Sequence, residues 1–277
     1  MRFAKYQGTG NDFVMVSDPE DSLELTPSLV RSLCDRRFGI GADGVIRVAP
    51  SGRAHFFMDY VNADGSQSEM CGNGIRCLAV FARAEGLTSD DVIDVDTRSG
   101  VKTVTIEGDD VRVEMGPPIF DPAEIPVTLE GAGSDALHSK LELDDEVFEA
   151  AVLSMGNPHA VLFVEDAYSA PVTTLGPRLE EHAAFPNKAN IEFVKIDSPD
   201  HITMRVWERG SRETLACGTG ACAAAVAARL LRGTDPKVTV ELRGGDLEIE
   251  WAGTLGDDQS LFMTGPATEV FTGEIRI

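Results

Sequence analysis

The chain repeats one plan twice, and this duplication constrains its fold more than any other feature of the sequence. A shift of 146 residues aligns the two halves without a gap at their most distinctive positions. The matched segments are Gly10-Asn11 with Gly156-Asn157, Cys71-Gly72-Asn73-Gly74 with Cys217-Gly218-Thr219-Gly220, and Ala79-Val80 with Ala225-Val226. One such match can arise by chance, but several in one register predict two structurally equivalent halves.

The pattern of apolar residues predicts the same architecture in both halves. Gly72–Ala84 and Gly218–Leu231 carry so few charges that each is predicted to be a helix buried on most sides. We predict an α+β fold with two pseudo-symmetric domains, each a curved, mostly antiparallel sheet or barrel wrapped around a central helix. The predicted domains are residues 1–116 and 117–265, and the tail 266–277 is expected to return to the first half.

Shorter elements are expected around the two central helices. Thr26-Pro27 predicts a helix start, because a hydroxyl can cap the helix and proline suits its first position. Thr173–His182 is its predicted counterpart in the second half. Alternating and β-branched segments predict strands at Arg2–Gln7, Phe13–Ser17, His55–Val61, Val92–Asp96, Lys102–Ile106, Val111–Met115, Val147–Leu153, Ile202–Glu208, Lys237–Leu242, Asp246–Trp251 and Leu261–Met263.

Charge and cysteine content narrow the class of protein. The formal net charge is -22, which makes nucleic acid and anionic membranes poor partners. Acidity of this degree fits either a salt-adapted protein or an ordinary acidic enzyme, and the sequence leaves both readings open. The chain shows no signal peptide and no apolar run near the ~20 residues of a membrane span. Five cysteines without dense, even spacing predict free thiols in a reducing cytoplasm.

Two of these thiols lie at positions that favour a catalytic role. Cys71 and Cys217 each immediately precede a central helix, within a glycine-rich turn. Unpaired N–H groups and partial positive charge at a helix N-terminus are expected to lower the pKa of a thiol and to hold a carboxylate. If the halves are related by an approximate two-fold axis, one thiol would remove a Cα proton while the other delivers a proton to the opposite face. This scheme predicts a stereocentre-inverting enzyme that needs no metal and no electron-sink cofactor.

The remaining candidate residues and the Gly39–Gly44 segment have different predicted roles. His159 lies two residues after Asn157, the repeat partner of Asn11, and Glu208 is the repeat partner of Asn62, so both are candidates to adjust the thiol pKa values. The Gly39–Gly44 segment lacks a P-loop lysine, so it is predicted to be a structural turn or a substrate-contacting loop. The other cysteines, Cys34, Cys77 and Cys222, are predicted to be buried structural residues. The other histidines, which have no motif around them, are predicted to be solvated or structural, and they are His55, His138, His182 and His201.

Several long motifs, in order and in both halves, make the chain resemble the diaminopimelate epimerase family from end to end. The segments that carry this resemblance are Gly8–Phe13, Arg36–Gly44, Asn62–Ser66, Met70–Cys77, Gly156–Ala160, Trp207–Gly210 and Ala216–Ala221. The resemblance implies interconversion of LL- and meso-2,6-diaminopimelate in lysine and cell-wall precursor biosynthesis. It also implies no pyridoxal phosphate, a cleft that closes on substrate, and a homodimer.

The resemblance assigns roles residue by residue. Cys71 and Cys217 match the acid and base of the family, and His159 and Glu208 match residues that adjust the thiol pKa values. One departure is Gly44, where many members have glutamine, and this puts its contact with substrate in doubt. The implied substrate-binding positions are Asn11, Asn62, Gly72, Asn73, Asn157, Asn190, Glu208, Arg209, Gly218 and Thr219.

Two alternatives remain open at this stage. One is a two-cysteine racemase for proline or hydroxyproline, although such enzymes usually show Cys-Gly-His where this chain has Cys71-Gly72-Asn73. The other is a non-catalytic amino-acid-binding protein on the same fold, which loss of a motif cysteine would favour. Both motif cysteines are present.

Overall fold

The computed structural model describes residues 1–128 and 136–276. Within them the chain has an α+β fold of four helices and many short strands, which confirms the predicted fold class. The helices are α1 Pro27–Cys34, α2 Gly72–Ala84, α3 Val172–Glu180 and α4 Gly218–Arg232. Of the helices in this described part, none combines the length and apolarity that crossing a membrane requires.

The strands are short and follow one another closely along the chain. They are β1 Arg2–Gly8, β2 Asn11–Ser17, β3 Gly44–Ala49, β4 Phe56–Asn62, β5 Val92–Thr97, β6 Gly100–Glu107, β7 Asp110–Gly116, β8 Ser139–Leu143, β9 Glu146–Ser154, β10 Pro158–Phe163, β11 Asn190–Ser198, β12 His201–Glu208, β13 Arg212–Glu213, β14 Lys237–Leu242, β15 Gly245–Glu250, β16 Leu261–Pro266 and β17 Thr268–Glu274. The chain divides into two compact units, Met1–Glu114 with Thr264–Ile277, and Met115–Met263.

The first unit alternates antiparallel and parallel ladders. β1 pairs antiparallel with β2, β2 parallel with β3, β3 antiparallel with β4, β4 parallel with β5, and β5 antiparallel with β6. Helix α1 connects β2 to β3, and α2 connects β4 to β5. Strand β17, near the C-terminus, pairs antiparallel with β1 on the side opposite β2.

The second unit repeats this order ladder by ladder. β9 pairs antiparallel with β10, β10 parallel with β11, β11 antiparallel with β12, β12 parallel with β14, and β14 antiparallel with β15. Helix α3 connects β10 to β11, and α4 lies between β12 and β14 in the chain. On the outer side of β9, β8 takes the place that β17 has beside β1. The topology of each unit is therefore that of the other, in the register that the sequence repeat predicts.

Each unit buries one central helix against its strands. Helix α2 packs on β1 and β2, and α4 packs on β10 and β11. Small residues make this possible, because α4 is alanine-rich and its residues Ala221–Ala228 are all buried. Such a helix approaches the sheet closely, so the residue at its N-terminus is held in a fixed position.

The predicted helices are confirmed, and several strands were missed. Thr26 caps α1 by accepting a hydrogen bond from the N–H of Leu29, with Pro27 at the first helical position. Three interior strands that the sequence did not predict are β3, β10 and β11. These strands are buried on both faces over much of their length, so they lack the alternation that marks a half-exposed strand.

Candidate active site

Both candidate catalytic thiols cap a central helix with the same local geometry. Cys71 is the N-cap of α2 with φ -140° and ψ 117°, and Cys217 is the N-cap of α4 with φ -126° and ψ 112°. The sulfur of Cys71 accepts a hydrogen bond from the N–H of Gly74 at 3.4 Å. The sulfur of Cys217 accepts the equivalent bond from Gly220 at 3.4 Å. The repeat therefore reproduces the thiol position at the level of single hydrogen bonds.

The glycine in the first turn of each helix is required by close packing. A Cβ at Gly74 would lie 2.7 Å from Cδ1 of Ile46. A Cβ at Gly220 would lie 2.8 Å from Oε1 of Glu192, and 3.3 Å from the sulfur of Cys217. The shift of 146 residues matches Ile46 to Glu192. Equivalent positions behind the two thiols therefore carry an apolar side chain in one unit and a carboxyl group in the other.

In the first unit, Asn11 presents its carbonyl oxygen to the thiol. Its Nδ2 donates to Oδ2 of Asp43 at 2.7 Å, which fixes the orientation of the amide because a carboxylate only accepts. Its Oδ1 then accepts from the thiol of Cys71 at 3.6 Å and from Nδ2 of Asn73 at 3.4 Å. The structure thus brings Asn11, Cys71 and Asn73 together, as the resemblance implies.

A charged network holds Asp43 in place. Asp12 pairs with Lys5 at 2.6 Å and with Arg36 at 2.7 Å, and Arg36 also pairs with Asp43 at 2.7 Å. Although burial opposes ionisation of Asp12, hydrogen bonds from Arg36 and Lys5 lower its pKa to about 2. The Gly39–Gly44 loop therefore orients Asn11 through Asp43, which supports its structural interpretation.

A buried arginine lies behind the first thiol. Arg76 is fully buried and donates from Nη2 to Oδ1 of Asn73 at 3.0 Å. It also donates to the carbonyl oxygens of Gly72 at 3.2 Å and Pro266 at 3.3 Å. Asn73 is thereby held with its Nδ2 towards Asn11. This cation has no counterpart in the second unit, where the matching position is Cys222.

The two other first-unit candidates have different environments. Asn62 is partly exposed, and its Nδ2 donates to Oγ of Ser66 at 3.0 Å. Gly44 lies so close to the ring of Tyr60 that a Cβ would approach Cε2 to 2.4 Å. Glycine is therefore required at this position by packing, and a longer side chain needs the Tyr60 ring to move.

In the second unit, Glu208 lies beside the thiol of Cys217. Its Oε1 accepts a hydrogen bond from the hydroxyl of Thr214, and Cys217 donates a further bond to its carboxylate. Thr219 lies next to the same thiol, with Oγ1 3.6 Å from the sulfur. Burial raises the pKa of Glu208, although these hydrogen bonds oppose the rise. The structure thus brings Glu208, Cys217 and Thr219 together.

The expectation that the helix N-terminus lowers the pKa of both thiols is wrong for Cys217. Burial raises the pKa of this thiol well above its usual value, and the carboxylates of Glu208 and Glu192 raise it further. Hydrogen bonds from Thr219 and Gly220 oppose the rise but are outweighed. Burial, the first cause, and the two nearby carboxyl groups thus oppose ionisation of Cys217 more strongly than the helix terminus favours it. The thiol form of Cys217 is therefore favoured over the thiolate.

His159 belongs to a buried chain of three side chains. Its Nδ1 lies 2.7 Å from Oε1 of Glu192, and its Nε2 lies 3.0 Å from Oδ1 of Asn157. His159 and Glu192 are both fully buried, whereas Asn157 is partly exposed. These three hydrogen-bonded side chains link Asn157, a substrate-binding candidate, to Glu192, which lies next to Gly220 in the helical turn that follows Cys217.

Asn190 and Arg209 form a second cluster in this unit. Oδ1 of Asn190 accepts from the backbone N–H of Arg209 at 2.8 Å, and its Nδ2 donates to the carbonyl of Pro158 at 3.3 Å. The amide of Asn190 is buried, so both of its ends brace the backbone. The turn is also held by Glu180, which accepts from the N–H of Gly210 at 3.0 Å. The guanidinium of Arg209 stays exposed and donates to the carbonyl of Asn187 at 3.3 Å.

The remaining cysteines lie in or next to helices, as predicted. Cys34, Cys77 and Cys222 are all buried. Burial raises the pKa of Cys34 to about 11 and that of Cys77 to about 12. Within residues 1–128 and 136–276, no three His, Cys, Asp or Glu side chains are grouped so as to hold a metal ion.

Three residues that support the candidate sites were not predicted from the sequence. They are Asp43, Arg76 and Glu192, which contact Asn11, Asn73 and His159 respectively. A signal for Glu192 was present in the sequence. It is a single acid within the apolar segment Asn190–Val194, and the repeat matches it to a hydrophobic residue, Ile46. A lone charge in a buried strand needs a partner, and that need could have identified it.

Comparison with protein families and sequences gives a consistent result over the whole chain. The family model described as "Diaminopimelate epimerase" matches residues 3–120 and 151–270. A protein of that name from Moorella thermoacetica is 47% identical over 283 residues, covering 100% of each chain. One from Synechococcus elongatus is 47% identical over 280 residues, covering 100% of this chain and 99% of the relative. One from Desulfitobacterium hafniense is also 47% identical, covering 99% and 97%.

Comparison with solved structures identifies the fold. A phenazine biosynthesis protein of the PhzF family from Bacillus anthracis superposes with a TM-score of 0.72 at 17% identity, covering 100% of this chain and 99% of that one. A probable proline racemase from Agrobacterium radiobacter superposes with a TM-score of 0.70 at 15% identity, covering 100% and 93%. At these identities the likeness concerns the fold alone.

Proposed function

The chain belongs to the diaminopimelate epimerase family and is an epimerase, and from that premise we propose that it interconverts LL- and meso-2,6-diaminopimelate by two-base proton transfer. The observation that supports this best is the duplicated thiol geometry. Cys71 and Cys217 cap equivalent helices and accept equivalent hydrogen bonds at 3.4 Å. Two bases are what inversion of a stereocentre requires when each face of the carbon needs its own proton carrier.

The proposed step moves one proton off the α-carbon and another onto it. A thiolate takes the Cα proton and becomes a thiol, while the thiol on the opposite face gives its proton to the same carbon and becomes a thiolate. The raised pKa of Cys217 favours its thiol form, so we propose that Cys71 starts the reaction as the base, once it has lost to solvent the proton that it donates to Oδ1 of Asn11. The reverse reaction exchanges the two roles, and no electron-sink cofactor enters the scheme.

Charge that develops on the substrate carboxylate must be stabilised in the transition state. The helix N-termini offer backbone N–H groups for this at Gly72 and Asn73, and at Gly218 and Thr219. Preorganised donors of this kind contribute about 10²–10³-fold each to catalysis in characterised enzymes. These four residues are therefore proposed as the carboxylate-binding positions.

The distal end of diaminopimelate is a second zwitterion. Arg209 offers an exposed guanidinium for its carboxylate, and Asn62 offers a partly exposed amide. Asn190 acts in this proposal by bracing the backbone of Arg209. The carboxylate of Glu208 accepts a hydrogen bond from the thiol of Cys217 and, in this proposal, also binds the distal ammonium group of the substrate. Family membership also supports three further proposals, namely a place in lysine and cell-wall precursor biosynthesis, a cytoplasmic location, and a homodimer.

The test is incubation of the reduced protein with LL-diaminopimelate, followed by chromatographic separation of the stereoisomers. We expect meso-diaminopimelate to accumulate until equilibrium, and L-proline in a parallel reaction to remain unchanged. Racemisation of proline alone would replace the proposal with the proline-type alternative. Binding of diaminopimelate without turnover would replace it with a binding protein.

A further inference from the structure

Glu192 is a buried carboxyl group with no assigned task. It lies in β11, is fully buried, and contacts His159 through Oε1 only. Its second oxygen, Oε2, is buried and accepts no hydrogen bond from any residue in the described ranges. An ionised carboxylate in this environment is strongly disfavoured, because half of its charge has neither water nor a donor. Glu192 is therefore expected to share a proton with its histidine partner.

The partners that face the two ring nitrogens of His159 limit where its protons can lie. Its Nε2 is 3.0 Å from Oδ1 of Asn157, and a carbonyl oxygen only accepts, so Nε2 carries hydrogen. Its Nδ1 is 2.7 Å from Oε1 of Glu192, a distance that requires a second proton between them. The pair of His159 and Glu192 thus holds two protons and is neutral overall, whether the second proton is on nitrogen or on oxygen.

The surroundings of the pair favour retention of that second proton. Burial raises the pKa of Glu192, although His159 opposes the rise. The titratable groups close to the pair are Glu208 and Cys217, and both become anions when they ionise. A further negative charge on Glu192 would be repelled by either of them. These surroundings therefore disfavour a separate negative charge on Glu192 and favour a pair that is neutral overall.

The protonated Nε2 has a consequence for Asn157. Because His159 holds Oδ1, the amide of Asn157 is turned so that Nδ2 is its free end, and Nδ2 has no acceptor among the described residues. The repeat partner, Asn11, is turned the opposite way, since Asp43 holds its Nδ2 and leaves Oδ1 towards the thiol. Equivalent asparagines therefore offer a donor in one unit and an acceptor in the other.

We propose that Glu192 is a positioning residue for the reaction, and this inference rests on the proposed function. Glu192 keeps Nε2 of His159 protonated, and His159 thereby presents the Nδ2 donor of Asn157 to a carboxylate of the substrate. In the first unit the matching positions are Phe13 and Ile46, which are buried and cannot orient an amide. Asp43 performs the complementary task there, from the loop that precedes β3.

Two substitutions separate this role from simple packing. Glu192→Ile installs the repeat partner's residue and removes the proton donor to Nδ1 of His159. Glu192→Gln keeps a donor, because its amide nitrogen can donate to Nδ1 and leave Nε2 protonated. We expect KM for LL-diaminopimelate to rise about tenfold in Glu192→Ile and to stay within about threefold of wild type in Glu192→Gln. In both variants we expect kcat to change by less than about tenfold, which is the change expected for KM in Glu192→Ile.

A second readout does not depend on turnover. Nitrogen-15 NMR of the free protein reports which ring nitrogen of His159 carries hydrogen, with the signals assigned by their loss in His159→Gln. We expect hydrogen on Nε2 in wild type and in Glu192→Gln, and a different tautomer mixture in Glu192→Ile, when the three proteins are compared in the same buffer. Ile191→Val is the control for a small change in the buried part of β11, and it should leave both KM and the His159 signals unchanged.

The outcomes are decisive in each direction. Wild-type KM and wild-type His159 signals in Glu192→Ile would overturn the inference. Equal damage in Glu192→Gln and Glu192→Ile would also overturn it, because a charge and not a proton donor would then be required. If Glu192→Ile does not fold, the wild-type and Glu192→Gln spectra still decide, since loss of the Nε2–H signal in either contradicts the proposal. Failure of wild type to epimerise diaminopimelate would instead refute the proposed function and leave the NMR result standing.

Discussion

The two units of this chain share a backbone plan and differ in the charge that surrounds their thiols. Cys71 and Cys217 have nearly the same backbone angles and accept the same hydrogen bond. Behind Cys71 lies the buried cation Arg76, whereas Cys217 is surrounded by the carboxyl groups of Glu208 and Glu192. The two units therefore hold their thiols at the same backbone position, but they differ in the neighbouring side chains that set the thiol pKa.

The repeat therefore predicts the backbone geometry around each thiol but not the protonation state of that thiol. The strongest contrasts occur at matched positions, which are Phe13 with His159, Gly44 with Asn190, Ile46 with Glu192, Asn62 with Glu208, and Arg76 with Cys222. Two identical half-sites would give two thiols of equal proton affinity. A proton transfer between opposite faces instead needs one thiol protonated and one ionised at the start. The unequal surroundings of Cys71 and Cys217 favour such a difference in proton affinity.

The largest expected effect is removal of either thiol. Cys71→Ala and Cys217→Ala should each lower the rate of epimerisation by at least about 10²–10⁴-fold, since each face of the carbon loses its proton carrier. The measurement is the initial rate of meso-diaminopimelate formation by each purified variant. Cys77→Ala, which removes a buried thiol away from either helix cap, is the control and should retain most activity. Near-normal turnover in one catalytic variant would show that one half-site suffices.

The next effect concerns the buried cation that only the first unit has. Arg76→Met leaves the carbonyl of Pro266 and Oδ1 of Asn73 without this donor, so we expect a loss of about 3 kcal/mol in the free energy of unfolding. At the matched position, Cys222→Ala should cost only about 1 kcal/mol. Urea denaturation of both variants measures the difference. Equal losses would mean that Arg76 contributes no more than packing.

Glu208→Asn converts a second-unit residue into its first-unit partner. Because the Glu208 carboxylate raises the pKa of Cys217, its removal should lower that pKa. The rate of iodoacetamide labelling at Cys217, followed by mass spectrometry against pH, should therefore shift to lower pH. We also expect kcat/KM to fall about tenfold, because a hydrogen bond to the thiol is lost. A labelling profile that stays in place or moves to higher pH would contradict the electrostatic difference between the units.

The smallest effect tests the network that orients Asn11. The folded pKa of Asp12 is lowered to about 2, so its stabilising contribution is present above the unfolded pKa and is lost as pH falls towards the folded one. Asp12→Asn should be less stable than wild type at neutral pH by on the order of 1–2 kcal/mol. The deficit should shrink as pH falls from about 4 to about 2. Thermal unfolding across this range checks it, and a deficit that does not vary with pH would remove the ionic explanation.

Much of the fold could be predicted because its signals are local. The Thr26-Pro27 start of α1 and the bounds of α2 follow from capping chemistry and from the scarcity of charge. The strands β3, β10 and β11 were missed because they are buried on both faces and show no alternation. The repeat could have recovered β10, since the same shift places it on β2, which was predicted.

The candidate site was predictable only where a residue lies next to a motif. Cys71, Asn73, Cys217 and Thr219 lie within the two glycine-rich turns, and the structure places them at the helix N-termini. Asp43, in the loop before β3, and Glu192, in β11, act through contacts with residues that are distant from them in the chain. The raised pKa of Cys217 likewise depends on burial and on two carboxylates, which a sequence pattern does not measure.

The most direct test of two-base transfer is the position of deuterium early in the reaction. Wild-type enzyme is incubated with LL-diaminopimelate in D2O, and substrate and product are separated within the first few per cent of turnover. We expect the meso product to carry one solvent deuterium at the inverted carbon, and the recovered LL substrate to remain unlabelled. Each thiol would then have handled only its own face. Deuterium appearing equally in recovered substrate and product would show that a single base serves both faces, and would contradict the assignment of Cys71 and Cys217 as a pair.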